Sequence, residues 1–320
     1  MKISIAMATF NGANYVRHQL ESFTRQTRLP DELIICDDCS TDETTTIISK
    51  FAKAAPFNVT LIKNEANLGY NKNFPKAISE CSGDLIFISD QDDIWLPEKI
   101  SYMETVAASR SSNQLLWMHD GRLVDEHLKW GGSTKLGQVS RGYGNVTGVV
   151  TGALTLIHHD LLHYISPFPE GIEYDGWIHS VAHRLGARCI IDEELQLIRR
   201  HSSNATEWIA SSTARINSLD VIWSAFKTPR AHSYEDRITI NKALQRQFDE
   251  KLSNGCLSLR HDEIFNILKY ISDEASALNS RTRLVAAGPI ERRFLAVRML
   301  AEGKYNFFNG FSSFLRDFTR

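Results

Sequence analysis

Short apolar segments alternate with helix-like segments over the first hundred residues, and this alternation constrains the fold most. Apolar runs of strand length occupy residues 2–8, 33–36, 59–62 and 85–88. Segments with helical spacing or a helix-start signal follow each run, at 15–28, 40–51, 71–81 and from Pro97 onward. Within the second of these, Ser40 and Glu43 predict a capping box. Strands that alternate with helices predict a parallel sheet with helices on both faces.

The pattern changes after about residue 112. Short strands are predicted at 115–119, 150–157 and 188–192, with a Gly-rich stretch at 131–148 and a helix over 176–186. Beyond about residue 205 the chain is largely helical and charged. We therefore expect an α/β region over residues 1–210 and a helical region over residues 211–320.

Charge and apolar content restrict the class of protein. The net charge is −2, whereas a nucleic-acid binder usually carries a basic excess, so we expect no nucleic-acid partner. No run reaches the roughly 18 apolar residues that a membrane helix needs. The first residues are typical of a strand and show no signal-peptide pattern. Five scattered cysteines, an odd number, favour reduced thiols and a cytoplasmic protein.

Acidic residues cluster directly after two of the predicted strands. Asp37 and Asp38 follow the second strand, and Asp90, Asp92 and Asp93 follow the fourth. Ligands of open α/β sheets bind outside the carboxyl ends of the strands. Carboxylates this close repel one another, and Mg²⁺ or Mn²⁺ is a natural partner because both prefer oxygen ligands. The alternative is a solvated acidic turn that caps the next helix.

Two further loops offer polar groups at the same predicted edge. Thr9 and Asn11 belong to a Thr-Phe-Asn-Gly turn after the first strand, which suits a nucleotide but is also a common strand-to-helix turn. Asn67 and Lys72 surround the next Gly-containing turn, where the lysine can answer phosphate charge or remain solvated. Neither G-x-G-x-x-G nor G-x-x-x-x-G-K-[ST] is present, which disfavours dinucleotide and P-loop sites.

Three residues in the second half of the α/β region are also candidates. Asp175 precedes a predicted helix and is either an N-cap or a general base. Trp177 offers a wall for a sugar ring or a core side chain, and the sequence leaves both open. His201, beside Arg200, is placed to reach a diphosphate or a metal, or is a satisfied surface histidine.

Taken together, these motifs resemble the family 2 inverting glycosyltransferases of the GT-A fold. The resemblance covers about residues 1–205. It rests on the order and spacing of Ala-Thr-Phe-Asn-Gly at 8–12, Asp-Asp-Cys-Ser-Thr-Asp at 37–42, Asn-Leu-Gly at 67–69 with Asn73, Asp-Gln-Asp-Asp-Ile-Trp at 90–95, Asp-Gly-Trp at 175–177 and Arg-His-Ser-Ser-Asn at 200–204. Cys39 stands where the family often has Gly, and Tyr-Asp-Gly-Trp at 174–177 replaces the commoner His-Asp-Trp-Trp. The 90–95 segment is similar to that of bacterial rhamnosyltransferases.

The resemblance implies a GT-A fold, a nucleoside-diphosphate sugar donor carrying dTDP or UDP, and a divalent cation, Mn²⁺ or Mg²⁺. It implies Asp175 as the general base. Donor contacts are implied for Thr9, Asn11, Asp37, Asp38, Asn67, Lys72, Asp90 and Gln91; metal contacts for Asp92, Asp90 and His201; and an acceptor side at Trp177, Asp93 and Trp95. The implied reaction builds a bacterial surface polysaccharide such as O-antigen or capsule, on a glycan or lipid-linked acceptor. The alternatives are a sugar nucleotidyltransferase and a catalytically silent glycan-binding scaffold.

The last forty residues combine basic and aromatic side chains. Residues 281–320 hold eight Lys or Arg against three Asp or Glu, together with seven Phe or Tyr. Such a segment suits an anionic membrane surface, here the inner face of the cell membrane. A helical cap with its aromatic rings buried explains the same composition. The two interpretations stay open, and they are compatible.

Overall fold

The computed structural model of the protein describes residues 1–109, 113–142, 149–201, 232–253, 261–308 and 310–319. Contacts divide the chain into two compact units, Met1–Lys227 and Thr228–Arg320. The boundary predicted near residue 210 falls in 202–231, outside the described residues. The same holds for residues 202–204 of the last motif.

The first four strands form the parallel half of the sheet, as predicted. The strands are β1 (Ile3–Thr9), β2 (Glu32–Asp37), β3 (Asn58–Lys63) and β4 (Leu85–Ser89), in the order β3-β2-β1-β4. The helices are α1 (Val16–Thr24), α2 (Thr44–Ala52), α3 (Tyr70–Ser79) and α4 (Lys99–Ala108). Every residue of β1 and β4 is buried, which explains their continuous apolar sequence.

The remaining strands extend the same sheet beyond β4. They are β5 (Ile94–Trp95), β6 (Leu116–Val124), β7 (Trp130–Thr134), β8 (Thr155–His158) and β9 (Arg188–Arg199); the helices are α5 (Lys135–Gly142), α6 (Leu162–Ile165) and α7 (Tyr174–Arg184). The order continues β4-β8-β6-β9-β5, and β7 pairs with β6.

The sheet is mixed, because β8 runs antiparallel to both β4 and β6. Two reversals restore the original direction, so β6 and β9, which pair in parallel, run the same way as β4. The carboxyl end of β9 therefore lies at the same edge of the sheet as the carboxyl ends of β1, β2 and β4. This places the residues that follow Arg199 beside the acidic segments.

The predicted capping box at Ser40 does not form. The α2 helix begins at Thr44, and its N-cap residue Glu43 makes no side-chain cap hydrogen bond. The Ser40 hydroxyl instead donates to Asp37 Oδ1, 2.6 Å away, while Asp42 Oδ1 accepts from the Thr44 N–H at 3.0 Å. The serine is used to fold the loop after β2.

The second unit is helical, as expected. It contains α8 (His232–Ser253), α9 (His261–Ala286), α10 (Pro289–Ala301), a 3-10 turn (Lys304–Phe307) and α11 (Gly310–Thr319). Its apolar cluster includes Leu284, Ala296, Met299 and Tyr305. Among the described helices of the chain, none is both long enough and apolar enough to span a bilayer.

Candidate active site

A cleft of about 980 Å³ opens at the edge of the sheet where β1, β2, β4 and β9 end. Thr9 ends β1, and Asp38 and Asp90 directly follow β2 and β4. The predicted site residues that line the cleft are Thr9, Asp38, Asn67, Asp90, Gln91, Asp92 and Asp175. Side chains from distant parts of the chain thus face one space, which is what a binding site requires.

Asp37 and Asp38 are adjacent, but only Asp38 lines the cleft. Asp37 is buried behind the cleft, where its Oδ1 accepts hydrogen bonds from Thr9 Oγ1 at 2.9 Å and from Ser40 Oγ. Direct donor contact by Asp37 does not fit this position, so its role is to hold Thr9 and the loop. Asp38 faces the cleft, and its carboxylate accepts the backbone N–H groups of Leu68 and Gly69, each at 2.8 Å.

The loop after β1 is fixed by Gln91. The amide of Gln91 accepts from the Phe10 N–H and donates to the Phe10 carbonyl, both at 3.0 Å. Phe10 lines the cleft and is 46% exposed. Asn11 lies outside the lining residues, and its Oδ1 accepts from the Thr41 N–H at 2.8 Å. Asn11 therefore shapes the rim of the cleft through the loop, and the side chain offered to a ligand is that of Phe10.

Lys72 does not face the cleft. Its Nζ lies 2.8 Å from Glu170 Oε1, and both side chains are exposed. Because Lys72 is not among the residues that line the cleft, the structure does not support the phosphate contact predicted for it. Asn67, in the same loop, does line the cleft and donates from Nδ2 to the Asp38 carbonyl at 3.3 Å.

Three carboxylates meet at the start of β5. Asp90, Asp92 and Asp93 each place an oxygen within 4.8 Å of the others. Asp90 and Asp92 line the cleft, whereas Asp93 is 2% exposed and accepts from the Arg199 N–H and from Gln196 Nε2. The acceptor-side role predicted for Asp93 does not fit, because its carboxylate is turned into the protein and is committed to β9.

The acidic cluster has the donor set of a hard divalent cation. Burial, and then the neighbouring Asp92 and Asp175 carboxylates, raise the pKa of Asp90. Removing Asp90 and Asp92 from water beside each other is unfavourable unless a positive charge joins them, and Mn²⁺ or Mg²⁺ supplies one. His201 Nε2 lies 2.9 Å from Asp92 Oδ2 and can provide a nitrogen ligand at the same place. The residues present therefore fit the predicted metal.

Asp175 lies across the cleft in the first turn of α7. Its Oδ1 accepts the backbone N–H of Gly176 at 2.7 Å. Burial, followed by the negative charge of Glu173, raises its pKa. A carboxylate with a raised pKa, exposed to a cleft that also holds a metal-type cluster, suits proton removal from a substrate hydroxyl.

The two tryptophans predicted on the acceptor side belong to the core. Trp177 is fully buried, and its Nε1 donates to the Ile165 carbonyl at 2.8 Å. Trp95 is 2% exposed and packs edge-on against Phe23, with ring centroids 4.8 Å apart. Neither ring offers a face to the cleft, so of the two readings of Trp177 the structure supports the core side chain.

Two cationic side chains complete the cleft. Lys135, the first residue of α5, is 8% exposed and lines the cleft together with Arg200. Burial and the nearby Arg200 lower the pKa of Lys135 to about 8. Little in the sequence indicates a role for Lys135, because it is a lone lysine in an irregular, Gly-rich stretch. Arg200 was predicted, with His201, to reach the diphosphate or the metal, and it lines the cleft.

A buried lysine lies beneath the acidic cluster. Lys99 is 1% exposed; its Nζ donates to Gln196 Oε1 at 2.6 Å and lies 3.7 Å from the centre of the Trp95 ring. Gln196 in turn donates to Asp93. The chain Lys99–Gln196–Asp93 therefore supports the cluster from behind. Spacing in the sequence could have indicated that Lys99 is buried. Lys99 lies four residues before the buried Met103 and so shares its helix face.

Comparison with known proteins agrees with this geometry. Residues 4–113 match the family model for Glycosyl transferase family 2. The dTDP-rhamnosyl transferase RfbG of Shigella flexneri is 34% identical over 131 residues, which are 38% of this chain and 45% of that protein. The abequosyltransferase RfbV of Salmonella typhimurium is 29% identical over 113 residues, 35% of this chain and 34% of that protein. The chain thus spans less than half the length of these curated relatives.

Solved structures with the same fold match nearly the whole chain. S. aureus TarS 1-349 in complex with UDP-GlcNAc has a TM-score of 0.52 at 15% identity, covering 99% of this chain and 89% of that one. The mannosyltransferase PcManGT from Pyrobaculum calidifontis, in complex with GDP-Man and Mn²⁺, has a TM-score of 0.50 at 16% identity, covering 99% and 86%. Residues 4–113 therefore match glycosyltransferase family 2, and the fold is the GT-A fold of these structures.

Proposed function

We propose that the protein is an inverting, metal-dependent glycosyltransferase that moves a sugar from a nucleoside diphosphate to an acceptor hydroxyl. The observation that carries the proposal is the presence of Asp90 and Asp92 in one cleft with Asp175. The first pair suits a cation that meets a diphosphate, and the third suits a general base. RfbG, a relative, is a dTDP-rhamnosyl transferase, which favours dTDP-rhamnose as the donor over UDP-sugars.

The donor would lie along the carboxyl ends of β1, β2 and β4. Asp38 and Asn67, which line the cleft, would contact the base or ribose, with Thr9 held beside them by Asp37. Asp90, Asp92 and His201 would hold Mn²⁺ or Mg²⁺, which neutralises the charge on the departing diphosphate when it is bound. Lys135 and Arg200 add fixed positive charge to the same cleft.

The chemical step needs one base and one displacement. Asp175 accepts the proton of the acceptor hydroxyl as its oxygen attacks the anomeric carbon. The bond from that carbon to the diphosphate breaks, and the electron pair leaves with the diphosphate. Attack from the side opposite the leaving group inverts the anomeric configuration. The anomeric carbon passes through an oxocarbenium-like state, as in glycoside hydrolysis.

The acceptor is proposed to be a glycan or a lipid-linked glycan of a surface polysaccharide, reached at the cytoplasmic face of the membrane. One face of α10 supports this part of the proposal. Ile290, Phe294 and Val297 recur at i, i+4 and i+7 and are 74%, 75% and 50% exposed. Arg293 and Arg298 flank this apolar ridge on the helix surface. An apolar ridge with flanking arginines suits an anionic bilayer surface.

The aromatic residues of the tail divide between two roles. Tyr305 is buried, and its partners Phe308, Phe314 and Phe318 pack against the cluster around it. Phe294 and Phe311 are 75% and 61% exposed. Packing within the helical unit therefore accounts for the first group, and the membrane proposal concerns the second.

A donor panel tests the proposed function. Binding and slow hydrolysis would be measured for dTDP-rhamnose and the common dTDP-, UDP- and GDP-sugars, with Mn²⁺, with Mg²⁺ and with chelator. We expect one donor to bind in a metal-dependent manner. Binding of no donor under any condition would overturn the proposal in favour of a glycan-binding scaffold. Formation of a sugar nucleotide from a sugar phosphate would instead indicate a nucleotidyltransferase.

The variant Asp175→Asn tests the base. We expect turnover to fall by about 10²- to 10⁴-fold, as for loss of a general base, while donor affinity changes less than about twofold. Asp160→Asn is the matched control, because Asp160 is exposed and does not line the cleft. An equal loss of donor affinity in Asp175→Asn would contradict the role of Asp175.

A further inference from the structure

The segment that leads into Asp175 is held by the first turn of α3. Three consecutive residues of that turn contact it through their side chains. Tyr70 donates from its hydroxyl to Glu173 Oε2 at 2.7 Å, and Lys72 pairs with Glu170 at 2.8 Å. Asn71 lies between these two and contacts the backbone of the same segment.

The Asn71 side chain forms hydrogen bonds with two backbone groups, one on each side of Glu173. Its Nδ2 donates to the Ile172 carbonyl at 2.8 Å, and its Oδ1 accepts the Tyr174 N–H at 2.5 Å. One planar amide therefore fixes the direction of the chain one residue before Asp175. Both of its polar ends are used, so no other side chain of similar length replaces it without losing a bond.

Asn71 also caps α7 from outside the helix. Tyr174 is the first residue of α7, where a backbone N–H has no partner within the helix. The N-cap residue Glu173 makes no side-chain cap hydrogen bond. The side chain that satisfies the first N–H thus comes from α3, and the start of α7 depends on it.

The contacts made by Tyr70 and Lys72 constrain the segment before Asp175 less than those of Asn71. Lys72 and Glu170 are 62% and 85% exposed, and an exposed ion pair contributes little to stability. Tyr70 is half exposed and bonds to a side chain that is itself exposed. Asn71 is more enclosed and bonds to the backbone, so it constrains the position of the segment most.

The residues just before Tyr70 contact Asp38, on the proposed donor side of the cleft. The Leu68 and Gly69 N–H groups donate to the Asp38 carboxylate, and Gly69 has φ 76°, a conformation that favours glycine. Residues 68–71 therefore connect Asp38 directly to the segment before Asp175. The spacing between the donor side of the cleft and Asp175 is set by this four-residue stretch.

We propose that Asn71 is a positioning residue for the transfer step, and that it acts by fixing the start of α7 and so the place of the Asp175 carboxylate relative to the attacking hydroxyl. This inference rests on the proposed role of Asp175 as base. Displacement of a reacting group by about 1 Å costs up to about 100-fold in rate. Asn71 touches neither the donor nor the acceptor in this assignment, and its effect passes through Asp175.

A double-mutant cycle tests the inference with dTDP-rhamnose, Mn²⁺ and water as the acceptor, read as release of dTDP. We expect Asn71→Ala to lower kcat by about 10- to 100-fold while the dTDP-rhamnose Kd changes less than about twofold. In the Asp175→Asn background, Asn71→Ala should cause no further loss, because the group that it positions is gone. Ser79→Ala is the control, since Ser79 is exposed on α3 and bonds only within its own helix.

Hydrogen exchange gives a readout that does not depend on activity. We expect the amides of residues 172–178 to exchange faster in Asn71→Ala, with no change in residues 3–9 of β1. Unchanged exchange over residues 172–178 would overturn the inference. Equal kcat losses in the wild-type and Asp175→Asn backgrounds would also overturn it.

Failure of the proposed function gives a different pattern. If Asp175→Asn alone keeps wild-type turnover, the base assignment is wrong, whatever Asn71→Ala does. If Asp175→Asn is inactive but Asn71→Ala keeps full turnover, the base assignment stands and the positioning role is wrong.

Discussion

His201 Nε2 lies 2.9 Å from Asp92 Oδ2, although 109 residues separate the two in sequence. The topology explains the contact: β9 runs in the same direction as β4, so the residues after each strand meet at one edge of the sheet. The His201 ring is further fixed by stacking on Tyr15, with ring centroids 4.3 Å apart. A histidine held in this way is oriented before any cation arrives.

His201→Ala should weaken cation binding more than sugar-nucleotide recognition. We expect the Mn²⁺ concentration for half-maximal donor hydrolysis to rise by about 10- to 100-fold, the usual cost of losing a group that holds or orients a metal. Saturating Mn²⁺ should restore much of the rate. His18→Ala is the matched control, since His18 is exposed on α1. An unchanged Mn²⁺ requirement would remove His201 from the metal site.

The sequence predicted the first half of the sheet well because β1, β2 and β4 are buried along nearly their whole length. Such strands read as continuous apolar runs, and acids directly after them must lie at the edge of the sheet. The antiparallel direction of β8 and the pairing of β6 with β9 were not predicted, because they depend on contacts across about 40 and about 70 residues and not on local pattern.

The sequence could not show which way neighbouring side chains face. Asp92 and Asp93 are adjacent, yet Asp92 faces the cleft and Asp93 faces Gln196 and the Arg199 backbone. Trp95 and Trp177 are of the residue type that stacks on sugar rings, yet both are buried in the core. The direction in which each of these side chains points is decided by strand pairing with β9 and by packing. Both depend on the three-dimensional structure.

Glu173 should tune the acid limb of the pH profile. The negative charge of Glu173 contributes to the raised pKa of Asp175, after burial. A base is active when deprotonated, so kcat should fall as pH drops through this raised pKa. Glu173→Gln removes the charge and keeps an acceptor for the Tyr70 hydroxyl, so the acid limb should move to lower pH.

The measurement is kcat against pH at saturating Mn²⁺ and donor. Glu170→Gln is the control, because Glu170 is exposed and pairs with Lys72. A shift of the acid limb to higher pH in Glu173→Gln, or the same shift in both variants, would contradict the assignment of that limb to Asp175.

Lys135 should set the alkaline limb. Burial and Arg200 lower its pKa to about 8, so the ammonium that faces the cleft loses its charge as pH rises through that value. We expect kcat/KM to fall between pH 7 and 9.5. Lys135→Arg should flatten this limb, because a guanidinium stays protonated there. Lys135→Met should lower kcat/KM already at pH 7.

Comparison of the three proteins separates charge from packing. If Lys135→Met matches the wild-type rate at pH 7, Lys135 takes no part in binding the diphosphate. If Lys135→Arg retains the full alkaline decline, another group titrates there.

The exposed ridge of α10 should carry binding to anionic membranes. Deleting residues 290–320 would also remove Tyr305 and its packed aromatic partners, so substitutions give a cleaner test. The double variant Ile290→Asp with Phe294→Asp places two charges on side chains that are 74% and 75% exposed, which should leave the helix folded.

Co-sedimentation with vesicles containing phosphatidylserine should show binding of the wild-type protein and loss of binding in the variant. Turnover of dTDP-rhamnose in solution should not change, because neither Ile290 nor Phe294 is among the described residues that line the cleft. Tyr102→Asp, on α4, is the control for adding charge at an exposed aromatic. Retained vesicle binding by the double variant would overturn the membrane role of the ridge.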